Sequence, residues 1–274
     1  MSEQIVLRHR SDPQREPVAV RMPSALPLLG DQVRYQLGLL LRTPRALSTG
    51  LVLPVLLLLL SDAPHGHLPA AHVAGLATFA VTMTAWTTHG IGLVAAREAG
   101  VLKRWRATPL PPWCYFAGRI AATVLIAAAA GAVTVAAAML VFGSAIGVAA
   151  ALRFLLVVAL GGLTCAAVCT AVTGFVPNVA SAFPVLGLTY LPVTLISGVF
   201  GPSTAVPAWV TTLTGYLPIR PIAESATAAL AGGGVRPADL AVLATWAVAG
   251  VLAALLTFRW APTTPRQKRA ARPS

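Results

Sequence analysis

The feature that most constrains this chain is the length of its stretches without charge. Between Arg153 and Arg220 there are 66 consecutive residues without an Asp, Glu, Lys or Arg. Four shorter charge-free stretches, of 16 to 34 residues, lie elsewhere along the chain. A membrane-spanning helix needs roughly 20 apolar residues. Only 10% of the residues are charged, whereas a soluble domain carries about 25%. These stretches predict an all-α integral membrane protein.

Six transmembrane helices fit these stretches. They are predicted near residues 46–60, 70–96, 117–141, 152–175, 179–200 and 238–258. Most basic residues then fall on one side: before the first span, between the second and third, and after the last. Only Arg153, Arg220 and Arg236 fall on the other side. Because Lys and Arg are enriched in cytoplasmic loops, both termini are predicted to be cytoplasmic.

The segment before the first span has an amphipathic pattern. Four apolar residues recur there at helical spacing: Leu29, Val33, Leu37 and Leu40. The pattern fits an amphipathic interfacial helix on the inner membrane surface; a plain lead-in to the first span fits it as well. The predicted domains are a disordered cytoplasmic tail at 1–25, a transmembrane domain at 26–260 and a basic cytoplasmic tail at 261–274.

The segment before the last span is apolar but interrupted by prolines. We expect two short helices there, over residues 208–217 and 219–230. Broken helices at membrane depth are tolerated only where protein or a cavity covers their backbone. The segment is predicted to re-enter the outer leaflet, and a plain external cap is the alternative. The candidate site residues of this re-entrant segment are Pro207, Trp209, Pro218, Arg220 and Glu224.

Several kinds of chemistry are missing from the sequence. A phosphate-binding loop needs Gly directly before its Lys, but Leu and Gln precede the two lysines, Lys103 and Lys268. The chain is therefore predicted not to be an enzyme, with no catalytic or cofactor-binding residue. His65, His67 and His72 lack the spacing of zinc motifs, so no metal site is predicted. The basic residues fall at the ends of apolar runs, which does not imply nucleic acid binding.

The predicted spans are nearly free of ionisable side chains. Ion-coupled transporters commonly carry such residues inside the membrane as a relay, and here only His89 lies deep in a span. Thr78, Thr82 and His89 are aligned at helical spacing, with Trp86 beside them. These four residues could join helices by hydrogen bonds or line a substrate path, and the pattern leaves both roles open.

The most informative segment is "REAGVLKRWRATPLPPW", residues 97–113, between the second and third spans. An acid and a glycine precede an apolar ridge, which consists of Val101, Leu102 and Trp105. Basic residues flank this ridge, and prolines then end the helix abruptly. An ordinary positive-inside loop would explain the bases, but neither a Trp among them nor the proline stop. The arrangement favours a contact site for another protein.

This segment resembles the cytoplasmic segment of type-2 ABC exporter permeases, a family of bacterial drug-resistance, polysaccharide and teichoic-acid exporters. The residues that match the family pattern are Glu98, Gly100, Leu102, Lys103, Arg106, Thr108, Pro109 and Leu110. The amphipathic segment before the first span and the proline-broken segment before the last also fit. The resemblance covers residues 26 to about 260.

The resemblance implies that two permease chains, as a homodimer, pair with two cytoplasmic ATPase subunits that bind ATP and Mg²⁺. A coupling helix at 97–112 would dock on the ATPase. Its candidate residues are Glu98, Gly100, Val101, Leu102, Lys103, Arg104, Trp105, Arg106, Thr108 and Pro109. The expected function is export of a hydrophobic, amphipathic or lipid-linked substrate across a bacterial plasma membrane. A stand-alone ion-coupled transporter or a membrane enzyme is the alternative.

Overall fold

The computed structural model describes residues 25–42, 48–61, 68–106, 112–201 and 207–257, which are helical and contain no strand. The predicted tail at 261–274, and that at 1–25 except for its last residue, lie outside the described residues. The helices are α1 (Ala25–Leu41), α2 (Leu53–Leu59), α3 (Ala70–Met83), α4 (His89–Glu98), α5 (Val101–Arg106), α6 (Pro112–Phe142), α7 (Val148–Thr173), α8 (Val179–Ile196), α9 (Ala208–Gly215), α10 (Ile219–Leu230) and α11 (Pro237–Thr257). Two π-helical segments, Ser48–Val52 and Thr84–Thr88, precede α2 and α4.

Four of these helices are long and apolar enough to cross a membrane: α6 from Trp113 onward, α7, α8 and α11. They coincide with the third to sixth predicted spans. The second predicted span is a helical run over 70–98 that a π-helical segment divides, and the first contains a shorter apolar helix, Gly50–Leu59. The all-α membrane fold is therefore confirmed, while the count of six spans stays a prediction.

Helix α7 lies at the centre of the bundle, where it contacts α3, α4, α6, α10 and α11. The main hydrophobic core includes Val81, Phe154, Val158, Ile222 and Leu243. The helices run alternately up and down. The ends of α4, α7 and α11 therefore lie beside the starts of α6 and α8. We call this end of the bundle the α5 end. The opposite, α10 end holds the starts of α7 and α11 beside α10.

Small residues allow these helices to approach closely. A Cβ on Gly161 of α7 would lie 2.8 Å from Ile222 of α10. A Cβ on Gly250 of α11 would lie 2.7 Å from the backbone nitrogen of Val168 in α7. Lipid tails are as apolar as the side chains themselves, so close packing and hydrogen bonds must hold such helices together.

Helix α1 packs along α6 through polar side chains, and its place on the inner membrane surface stays a prediction. The four apolar residues Leu29, Val33, Leu37 and Leu40 are only half-buried. The most buried side chains of α1 are Gln32 and Gln36. They occupy this position because Gly118 of α6 has no side chain: a Cβ there would lie 2.5 Å from Cγ of Gln32.

The proline-broken segment forms the two helices that the sequence predicts. Helix α9 ends at Gly215, slightly earlier than expected, and α10 has the predicted bounds. Pro207 and Pro218 directly precede the two helices, where a proline costs no helical hydrogen bond. Re-entry of the segment into the membrane stays a prediction.

Replacing Gly250 with Ala should destabilise the bundle, although Ala is a better helix former than Gly by about 1 kcal/mol. The added Cβ would meet the backbone of α7, which cannot rotate away, and such overpacking costs about 1–3 kcal/mol. Gly187→Ala in α8 is the matched control, because a Cβ there meets nothing within 4 Å. Thermal unfolding of the purified chain in detergent should separate the two variants, and equal melting temperatures would contradict this packing.

Candidate functional site

The chain turns sharply between α4 and α5. Gly100 lies in this turn with φ of +72°, a conformation that L side chains rarely adopt. A glycine is therefore required where the sequence places one after Glu98. The turn allows α5 to leave the axis of α4.

Helix α5 is held to its own chain by Leu102. This side chain is fully buried and packs with Leu93 of α4 and Tyr115 of α6. Val101 is half-buried, and Arg104 is exposed. The side chains of Lys103, Trp105 and Arg106, and all of residues 107–111 with Thr108 and Pro109, lie outside the described residues. Two residues of the predicted apolar ridge therefore differ in their surroundings. Leu102 anchors α5 to the bundle, while Val101 remains partly accessible.

Arg97, the penultimate residue of α4, is almost completely buried, with 1% of its surface exposed. Its guanidinium donates hydrogen bonds to the backbone oxygen of Thr173, at 3.0 Å, and to that of Val176. Thr173 is the last residue of α7, where backbone carbonyls have no partner within the helix. A cation is favourable at this negative end of the helix dipole.

Glu98 makes the complementary contact with the next helix. Its carboxylate accepts a hydrogen bond of 2.8 Å from the backbone nitrogen of Val179, the first residue of α8. Asn178 and Ser181 close a capping box at the same helix start. Arg97 and Glu98 therefore bind the end of α7 and the start of α8 from one side, and we call this pair the Arg97–Glu98 clamp.

The predicted polar stripe lies between helices. The hydroxyl groups of Thr82 and Tyr190 are 3.0 Å apart, which joins α3 to α8. The two ring nitrogens of His89 lie 2.9 Å from the hydroxyl oxygens of Thr123 in α6 and Thr170 in α7. Thr82 and His89 thus form the hydrogen bonds between helices that the sequence left as one of two roles.

The other two residues of the stripe, Thr78 and Trp86, do not form hydrogen bonds of this kind. The Thr78 hydroxyl and the Trp86 indole nitrogen are buried without a hydrogen-bond partner among the described residues. Trp86 lies in the π-helical segment Thr84–Thr88, and such segments occur frequently at functional sites. A substrate path along the stripe stays a prediction.

The α10 end carries a group of charged side chains. Arg220 forms an ion pair of 2.6 Å with Glu224, which also pairs with Arg236. Arg236 pairs with Asp239 at 3.0 Å, and hydrogen bonding to Asp239 raises the pKa of Arg236. Arg153 donates to the backbone oxygen of Gly233 nearby. The three basic residues that the sequence assigns to the minority side therefore all lie at this end.

An open cavity of about 540 Å³ lies beside these charges. Its walls combine the four charged side chains of Arg220, Glu224, Arg236 and Asp239 with apolar residues of α3 and α8. Two other residues marked in the proline-broken segment differ in burial: Trp209 of α9 is exposed, whereas Pro218 is buried. The cavity can receive a molecule that has both polar and apolar parts.

Sequence reasoning missed two of the residues that organise the α5 end. Arg97 and Arg119 counted only toward topology, since basic residues at span ends are expected on the cytoplasmic side. Both are buried. The sequence does contain a signal that Arg119 is buried. It is the eighth residue of α6, beyond the prolines and inside an apolar run. No local signal identifies the carbonyl groups that Arg97 contacts, because they lie some 80 residues further along the chain.

The comparison with known families gives one result. The model of the ABC-2 type transporter family matches residues 33–231, well over half of the chain. The matched range contains the Arg97–Glu98 clamp, α5 and the polar stripe, and it ends directly after α10. None of the curated proteins matches the chain.

Replacing Arg97 with Met should destabilise the junction of α7 and α8. The variant removes the side-chain donor from the buried carbonyl of Val176, at a cost of about 1–3 kcal/mol, while the Thr173 carbonyl keeps the amide of Val176 as a donor. Arg104→Met is the matched control, because Arg104 is exposed on α5 and should change stability by less than about 0.5 kcal/mol. Thermal unfolding in detergent measures both, and an Arg97→Met variant as stable as the control would refute the clamp.

The contact between Thr82 and Tyr190 should appear as a coupling energy in a double-mutant cycle. We expect Thr82→Val and Tyr190→Phe to interact by about 0.5–1.5 kcal/mol in unfolding experiments in mixed micelles. Thr134→Val replaces Thr82→Val in the control cycle, because the Thr134 hydroxyl bonds only to its own helix. A coupling energy as small as that of the control cycle would show that this contact does not join α3 to α8.

Proposed function

Since this chain belongs to the ABC-2 type transporter family, we propose that it is the membrane subunit of an ATP-driven exporter. Membership of the family makes it an ABC transporter permease, the transmembrane component rather than the catalytic one. The proposal adds the direction of transport, the surface on which a separate ATPase binds and the kind of cargo.

The observation that carries the proposal is the attachment of α5 to several helix ends at once. Leu102 joins α5 to α4 and α6. Directly before α5, the Arg97–Glu98 clamp joins α4 to α7 and α8. A displacement of α5 would therefore be transmitted to four long segments of the bundle. This is the property required of a coupling helix that converts closure of an ATPase into a switch between inward and outward states.

The proposed docking surface is the part of α5 that is not buried with Leu102. Val101 and Trp105 would supply the apolar contact. The basic side chains would pair with acidic residues of the ATPase or with lipid headgroups: Lys103, Arg104 and Arg106. Thr108 and Pro109 would end this surface. Glu98, Gly100 and Leu102 would shape and hold it rather than touch the partner.

The chain would obtain its driving force from the partner. It has no phosphate-binding loop of its own, so ATP and Mg²⁺ would bind to two copies of an ABC ATPase. A second copy of this permease would complete the translocation unit. We place the α5 end on the cytoplasmic face of a bacterial plasma membrane, because most basic residues gather on that side.

The cargo that fits best is hydrophobic, amphipathic or lipid-linked. The described part of the bundle places few charged groups between its two ends, which would disfavour a highly charged cargo. The cavity at the α10 end combines apolar walls with a charged edge and would serve as an exit site for an amphipathic molecule.

The double variant Val101→Asp with Trp105→Asp should insert normally into the membrane but fail to retain its cognate ATPase in a pull-down. Two carboxylates on the proposed apolar contact would have to be desolvated for binding. Reconstituted with the ATPase, it should lose transport. Val148→Asp is the control, since Val148 is an exposed apolar residue at the opposite end of the bundle, and it should bind the ATPase as the wild type does.

Two results would contradict the proposal. Undiminished recovery of the ATPase with the double variant would exclude docking on α5. Uphill transport by the purified chain alone, driven by a proton gradient, would instead support a stand-alone ion-coupled transporter.

A further inference from the structure

Arg119 is a buried cation with no acidic partner among the described residues. Only 3% of its surface is exposed, and it lies two turns inside α6. The ion pairs found among the described residues all lie at the α10 end and involve Arg220 and Arg236. A charged side chain at membrane depth normally pairs with another charge or marks a functional site.

The hydrogen bonds of Arg119 are few and long. Its guanidinium lies 3.4 Å from the side-chain oxygen of Gln36 and 3.4 Å from the backbone oxygen of His89. Its Nε is buried without a partner among the described residues, and so is Nε2 of Gln32, whose Cγ lies against Gly118. Both are donor atoms, and the described part of the chain supplies neither an acceptor nor a negative charge for them.

His89 does not supply the missing acceptor with its side chain. Both of its ring nitrogens are engaged by the hydroxyl groups of Thr123 and Thr170. On the other side, a Cβ on Gly92 would lie 2.6 Å from Nη2 of Arg119, so α4 approaches the guanidinium as closely as a helix can. The site thus lies between α4 and α6, and α1 approaches it through Gln36.

Helix α1 covers the site with polar side chains rather than with an apolar seal. Gln32 and Gln36 are buried, while Leu26, Leu39 and Leu41 of the same helix are exposed. Exposed leucines on a helix beside the membrane contact lipid. A small movement of α1 would connect the buried donors directly with that lipid.

We propose that Arg119 and Gln32 bind the phosphate headgroup of an anionic phospholipid when α1 moves outward. A guanidinium with a neighbouring amide offers the set of donors that phosphate oxygens accept. The negative charge neutralises Arg119, and both orphan donors gain a partner. A phospholipid is the favoured ligand because its acyl chains would contact the exposed leucines of α1.

The test uses the full-length chain purified in a neutral detergent, without the ATPase, so that it is independent of the coupling function. Native mass spectrometry would follow titration with phosphatidylglycerol and with phosphatidylcholine of the same acyl chains. We expect the wild type to bind phosphatidylglycerol at least tenfold more tightly. Arg119→Met should abolish this preference, and Arg119→Lys should keep part of it.

Two further variants make the test specific. Gln32→Leu should weaken phosphatidylglycerol binding several-fold without removing a charge. Arg34→Met removes an exposed cation from the same helix and should change the preference less than twofold. If Arg119→Met does not fold, Arg119→Lys and Gln32→Leu decide the question alone.

Three outcomes would overturn the proposal. One is an unchanged preference in Arg119→Met or, where that variant does not fold, in Gln32→Leu. Another is a loss in Arg34→Met equal to that in the Arg119 variants, which would indicate general surface electrostatics. The third is displacement of phosphatidylglycerol by millimolar inorganic phosphate, which would identify the ligand as a free anion.

Discussion

Inside this bundle every polar group has to find its partner within the protein, because lipid tails offer none. The rest of the structure depends on how that constraint is met at the α5 end. There the carbonyl groups that end α7 and the amide that begins α8 are bound by two consecutive residues of α4, Arg97 and Glu98. Opposite helix dipole ends thus meet opposite charges, and three helices are fixed to one another.

The clamp explains how a six-residue helix can matter to a large bundle. Helix α5 is too short to be stable alone, and Leu102 supplies its anchor. Gly100 turns the chain immediately after the clamp. Any force applied to α5 therefore acts on a junction of helices rather than on a flexible loop.

The same constraint is met differently in the bundle interior. Thr82 and His89 form hydrogen bonds to neighbouring helices, and glycines such as Gly161 and Gly250 let the backbones approach. At Arg119 the constraint is only partly met, because two buried donors lack an acceptor. At the α10 end, by contrast, two basic and two acidic side chains balance one another beside an open cavity.

The linear pattern of charge was sufficient to predict an all-α membrane protein and the positions of α6, α7, α8 and α11. The prolines likewise predicted the starts of α9 and α10. These properties are local, since a run of apolar residues or a missing N–H has the same effect in any tertiary context. The apolar ridge around Leu102 was only partly predictable, because spacing alone cannot tell an anchor from a contact surface.

Only the tertiary structure decided which polar groups meet. Glu98 and Val179 are 81 residues apart in sequence, and the burial of Gln32 in place of the α1 leucines depends on a glycine in another helix. The charge on Arg119 is visible in the sequence, but whether a carboxylate faces it is a matter of helix packing. The long apolar helices can be located from the chain itself; the pairing of buried donors with acceptors exists only once the helices are assembled.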